Sequence, residues 1–190
     1  MTALLTAVIA VGVLAGCSEK TGGTAGTTLT TGGGQTSTAP TSESSSSGLS
    51  IAKFADKPCD LLTEAQVAKL GEVAAPKTST STLGPKCTWE GKDILKNSTY
   101  VVYATVDQDV EAMVDRVKTN PIFTEKKIGD VRVFINDSTD GVIHCRAIIE
   151  VSKTDSATVD ADIAAEERAA KPACTEAESV AAMVIETLKG

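Results

Sequence analysis

Of the side chains that carry most protein chemistry, this chain holds one histidine, His144, and five cysteines, Cys17, Cys59, Cys87, Cys145 and Cys174. A single histidine excludes multi-histidine metal sites, and any Ser-His-Asp triad would have to run through His144. No Gly-x-Ser-x-Gly elbow, phosphate loop, dinucleotide fingerprint or Cys-x-x-Cys occurs in the chain. Asn136-Asp137-Ser138-Thr139-Asp140-Gly141 spaces its oxygens like the first half of a calcium loop, but Ala147 stands where the bidentate Glu is required. That stretch reads as a turn closed by Asp-Gly. Asp107, Asp109, Glu111 and Asp115 suit the start of a helix, where the backbone dipole favours negative charge. The residues point to a protein that is not an enzyme and holds no cofactor or metal.

Cys17 invites a different chemistry. It follows an uncharged stretch from Ala3 to Gly16, the apolar core of an export signal, and Leu14-Ala15-Gly16-Cys17 fits the lipobox of bacterial lipoproteins. Only 16 residues precede the cysteine, fewer than the roughly 20 a membrane-spanning helix needs. A thiol is required there because diacylglycerol is joined to the sulfur before the signal is removed, and two acyl chains hold a protein firmly on a bilayer. The first lysine is Lys20, so the usual positive charge ahead of the apolar stretch is missing, as a start codon placed too late would leave it. The expected partition is residues 1–16 as signal peptide, 17–48 as lipidated cysteine and tether, and 49–190 as one globular domain. Of the 31 residues from Ser18 to Gly48, 23 are Ser, Thr or Gly, too polar to offset their ordering entropy. Such a coil reaches about 30 Å end to end. The expected location is the outer face of the cytoplasmic membrane, with lipid on Cys17 as the membrane contact.

Composition narrows the partners. From Leu49 onward there are 17 Lys/Arg against 23 Asp/Glu, a net charge of −6, which argues against nucleic acid. Four cysteines remain after Cys17, an even number in an exported chain, and they allow three disulfide connectivities.

The elements that must position these residues follow from pattern. Thr63 with Gln66 makes a capping box after Pro58-Cys59, Leu62 and Val67 sit at staple positions, and Gly71 supplies a stop. Strands are expected at 86–90, 98–106, 131–135, 142–151 and 157–163. The last alternates Val159, Ala161 and Ile163 against Thr158, Asp160 and Asp162, as an edge or half-exposed strand would. Val110, Met113, Val114 and Val117 form one helical stripe, and a final helix is capped by Thr175 with Glu178. The fold class is α+β, an antiparallel sheet of about five strands with helices mainly on one face and two disulfides.

Pro58-Cys59-Asp60-Leu61-Leu62-Thr63, then Cys87-Thr88-Trp89, then Cys174 heading an Ala/Val helix, all behind a lipobox and polar tether, resemble an actinobacterial lipoprotein family. That family is named only as a domain of unknown function, number thirty-five fifty-eight. The resemblance covers about residues 50–190 and carries no activity or catalytic residues with it. At the level of fold analogy, the layout is also similar to extracytoplasmic sensor domains of actinobacterial serine/threonine kinases.

Strand parity then orients the site residues. Val131, Val133 and Ile135, with Cys145, Ala147 and Ile149, face the helix-covered core. Arg132, Phe134, His144, Arg146 and Glu150 face the other way, a set able to bind an anionic or sugar-like group, or else to pair as salt bridges. Trp89 reads as core packing beside a disulfide. The disulfides are expected as Cys59–Cys87 and Cys145–Cys174, each tying a helix start to a strand. The function expected is a non-enzymatic binding or sensing module for a small ligand or an envelope protein. The alternative is a structural accessory subunit docking on an envelope complex.

Overall fold

The computed structural model describes residues 48–190, which lie within one compact unit, Pro40–Gly190. The lipobox, Cys17 and residues 18–47 of the tether fall outside the described residues. Seven strands form one antiparallel sheet: β1 (Lys77–Ser81), β2 (Gly84–Trp89), β3 (Thr99–Thr105), β4 (Ile122–Ile128), β5 (Val131–Asp137), β6 (His144–Glu150) and β7 (Ser156–Asp162). Their order is β1-β2-β3-β7-β6-β5-β4, every neighbour pair antiparallel. The helices are α1 (Glu64–Val67), α2 (Val110–Asp115) and α3 (Ala173–Lys189), with 3-10 turns at Ala52–Phe54 and Pro58–Leu61.

The sheet corrects the expected count of about five strands. The two that pattern missed, β1 and β4, are the edges. β1 reads Lys-Thr-Ser-Thr-Ser and is almost wholly exposed, and β4 carries Glu125, Lys126 and Lys127. An edge strand needs no apolar alternation, and charge there deters pairing with another chain. β7 is the converse error. It lies between β3 and β6 at the middle of the sheet and is buried up to Ala161. Its Thr158 and Asp160, expected near solvent, are buried, Asp160 beneath contacts from Arg146 of β6 and Tyr103 of β3.

α3 runs across β5, β6 and β7 on one face, burying Ala177, Val180, Ala181, Val184, Ile185 and Leu188 at helical spacing. They meet Val133, Ile135, Ala147, Ile149, Val159, Val102 and Trp89 in the main core. The helix begins at Ala173 after Pro172, so Thr175 is not its cap and Cys174 lies in the first turn. At α1 the capping box forms as expected: Gln66 N donates to Thr63 Oγ1 and Thr63 N donates to Gln66 Oε1. Gln66 also ties α1 to α3, its Nε2 donating to the Met183 carbonyl at 3.0 Å. The disulfides pair Cys59 with Cys87 and Cys145 with Cys174.

The helices do not keep to one face. α2, only six residues long and capped by Asp109, packs Val110 and Val114 on Phe134 and Ile148 of the opposite face. A second, smaller core results, with Val117 and Phe123 at its margin.

Candidate functional site

Register places the side chains of the α2 face in rows. Asn136 pairs with Arg146 and Arg146 with Asp160, while Phe134 pairs with Ile148, Ile148 with Thr158 and Thr158 with Tyr103. His144 pairs with Asp162 at the end of β6. Arg132, Phe134, His144, Arg146 and Glu150 therefore do share one face, as parity implied, but their surroundings differ.

Arg132 is held by three carboxylates, Glu150 at 2.8 Å and Glu111 and Glu125 each at 2.9 Å. Hydrogen bonds to Glu111 and Glu125 push its proton affinity further above the ordinary guanidinium value. It also lies over the Phe134 ring. Phe134 is wholly buried beneath α2 and offers no surface to a ligand. Arg146 makes a two-pronged pair with Asp160, Nε to Oδ1 at 2.6 Å and Nη2 to Oδ2 at 2.7 Å. Tyr103 donates its hydroxyl to the same carboxylate, and burial, reinforced by Asp160, pushes the phenol up to about 12. His144 Nδ1 lies 2.8 Å from Asp162 Oδ1. That hydrogen bond outweighs desolvation and raises the imidazole above its ordinary value. Trp89 is fully buried in the main core. Asp137 Oδ2 accepts from Thr139 N, Thr139 Oγ1 and Gly141 N, so the turn satisfies itself. No group of three or more His, Cys, Asp or Glu suited to a metal ion occurs among the described residues.

Two hollows adjoin on this face, sharing Val117 and Arg146. One, of about 200 Å³, is lined by Leu83, Met113, Arg116, Val117, Ile148, Thr158 and Arg146. The other, of about 220 Å³, is lined by Asn120, Asn136, Asp137, Ser138 and His144 with the shared pair. Asn136 Nδ2 and Thr158 Oγ1 are the two buried side-chain polar atoms that find no hydrogen-bond partner among the described residues, and each lines one of these hollows. A buried polar group left unpaired costs ~1–3 kcal/mol. A larger hollow of about 360 Å³ lies between α1 and the end of α3, but its Gln66 amide is already engaged by Thr63, Met183 and Thr187.

Sequence reasoning missed Thr158 because the alternation of β7 read as half-exposed, and missed Arg116 because it adjoins the apolar stripe of α2 without belonging to it. A separate feature lies at the β2–β3 and β5–β6 loops, where Ile94, Leu95, Val142 and Ile143 are exposed. Backbone bonds from Ile163 N to Ile143 O and from Glu166 N to Leu95 O bring the two loops against one connecting segment.

No curated protein and no solved structure matches the chain. A family model described as a protein of unknown function, DUF3558, matches residues 12–187. With almost the whole sequence covered by that match, the chain belongs to the DUF3558 family.

Proposed function

We propose that this protein is a non-enzymatic binding module, held at the outer face of the cytoplasmic membrane by lipid on Cys17, with its ligand site in the paired hollows beside α2. One observation carries the reading. Asn136 Nδ2 and Thr158 Oγ1 are buried and find no hydrogen-bond partner among the described residues, although Asn136 Oδ1 accepts from Asn120 Nδ2, and each residue lines one of two adjoining hollows. Stability alone would favour apolar side chains at both positions. Their retention is what a ligand-binding surface requires, because a bound polar group would complete them. On this reading the chain serves an actinobacterial envelope in the manner of a kinase sensor domain, reporting or presenting a ligand without transforming it.

The test is Thr158→Val, which keeps the shape and removes the hydroxyl. Thermal denaturation should show a gain of about 1 kcal/mol. Destabilisation instead would mean that the hydroxyl serves the fold, and the site reading would fall.

A specific observation also favours docking on an envelope protein: the exposed cluster of Ile94, Leu95, Val142 and Ile143. Large apolar side chains gathered at one end of a domain mark interaction surfaces. Replacing Ile94 and Leu95 with Ser should abolish crosslinking to a partner in intact cells and spare the fold; unchanged crosslinks would dispose of that surface.

A further inference from the structure

The first hollow specifies its ligand more closely than the paired site does as a whole. Four of its lining residues, Leu83, Met113, Val117 and Ile148, are apolar, and two, Arg116 and Arg146, are cationic. The cations are not equivalent. Arg146 is neutralised by the two-pronged contact with Asp160, as Arg132 is by its three carboxylates. Arg168 donates to the Ile163 carbonyl. Arg116, exposed at the end of α2, is the one arginine whose guanidinium has no hydrogen-bond or ion-pair partner among the described residues. Its uncompensated guanidinium stands beside an apolar hollow in a chain of formal net charge −7. It is a planar donor fork matched to a carboxylate.

Resting on the reading of the hollows as a ligand site, we infer that they take a small amphiphilic monocarboxylate. Its carboxylate pairs with Arg116, its apolar body lies among Leu83, Met113, Val117 and Ile148, and a further polar atom meets the Thr158 hydroxyl. A cation is opposed by the free Arg116 guanidinium. A dianion such as phosphate would lie close to Asp160 and to Asp115, which adjoins Arg116, with only one free positive charge in return. A volume of about 200 Å³ is below the ~300–1,000 Å³ of sites for drug-sized ligands, so the group held here is small. Two sources offer this chemistry. A free short-chain acid fills the first hollow alone. The carboxy-terminal end of a short peptide places its last side chain and carboxylate there and carries its preceding amides past Arg146 towards Asn136.

The experiment is isothermal titration calorimetry on the full chain, with Cys17→Ala to keep it out of membranes. The probes are isocaproate, isocaproamide, and acetyl-Gly-Gly-Leu as free acid and as amide. An acid should bind at least tenfold more tightly than its amide. Arg116→Gln, an exposed change, should erase that preference, and Arg116→Lys should restore part of it. Loss of acetyl-Gly-Gly-Leu affinity in Asn136→Leu identifies a peptide terminus as the source; an isocaproate preference with peptide binding indifferent to Asn136 identifies the free acid. Equal affinity for acid and amide, or a preference that survives Arg116→Gln, overturns the carboxylate inference. The hollows remain a ligand site in that case provided that Val117→Asp, placed between them, abolishes binding. If no probe binds the native chain, the carboxylate inference fails, and the stability of Thr158→Val decides separately whether the site reading fails with it.

Discussion

Arg146 and Arg132 look interchangeable in the sequence, two arginines on one sheet face, and both look expendable. Their surroundings make them structural. The Asp160 side chain is only 7% exposed, so removing Arg146 leaves a nearly buried carboxylate with the Tyr103 hydroxyl as its hydrogen-bond donor and His144 Nε2 3.9 Å away. Breaking a buried pair from one side costs ~3–5 kcal/mol, and the partial exposure of Arg146 puts this case towards the lower end. His144 is the residue on this face that answers to pH. Its hydrogen bond to Asp162 raises the folded-state value above the ordinary 6.5. A raised value means that the charged form is favoured by folding. The stabilisation is complete below the unfolded value and is lost as pH rises through the folded one. Unfolding free energy should therefore decline on going from about pH 6 towards pH 8, and Asp162→Asn should flatten that slope. A nuclear magnetic resonance titration of the lone imidazole checks the direction. A midpoint at or below 6.5 would refute it.

Among the elements, α3 and β6 are joined covalently. Cys145 lies on the buried face of β6 and Cys174 in the first turn of α3, so one bond pins the start of the covering helix to the sheet. The loop it closes has a sequence separation of 29, and that of Cys59–Cys87 is 28. In the chain-entropy model each loop is worth about 3–4 kcal/mol, large beside a domain stability of ~5–15 kcal/mol. Replacing Cys145 and Cys174 together with Ala should lower the unfolding free energy by about that amount, measured by urea denaturation. A loss below about 1 kcal/mol would show that α3 holds its place by packing alone. α2 contrasts with α3. It is short, caps a small secondary core of four buried side chains, and is tied at its start through Val110 N to the Lys153 carbonyl. Elements with few buried apolar contacts open at low free energy, which suits the wall of the proposed site.

For the molecule as a whole, the anchor and the domain make separate claims. A lipid on Cys17 concerns residues ahead of the described domain, and no helix of the described residues is long and apolar enough to cross a membrane. The motif predicts that the protein partitions into detergent on phase separation and that Cys17→Ala moves it to the aqueous phase. Retention of the variant in the detergent phase would mean that something other than the acylated cysteine holds the protein. The lipid and the hollows are independent, so Cys17→Ala should leave the thermal stability of the domain unchanged.

How much of this was legible in advance depended on the range of the interaction concerned. The capping box of Thr63 and Gln66, the stripe of α2, the alternation of β5 and β6 and the turn at Asp140-Gly141 are set by residues within a few positions of one another. The sequence alone determined all of these; the two disulfide pairs formed as expected, but from cysteines 28 and 29 residues apart that left three connectivities open until the elements packed. The sheet's width and the hollows of the proposed ligand site were decided only by tertiary structure. β1 and β4 lack an apolar face because an edge strand does not need one, and only pairing with β2 and β5 makes them strands. β7 alternates as a half-wet strand would, yet it pairs across the chain with β3, from Thr99–Asp162 to Thr105–Ser156. That position buries Thr158 and Asp160. No local pattern distinguishes a threonine facing water from one buried beside a hollow, or an arginine paired with Asp160 from one left free at Arg116. Burial and charge compensation are properties of neighbours brought together by folding, and those neighbours lie tens of residues away.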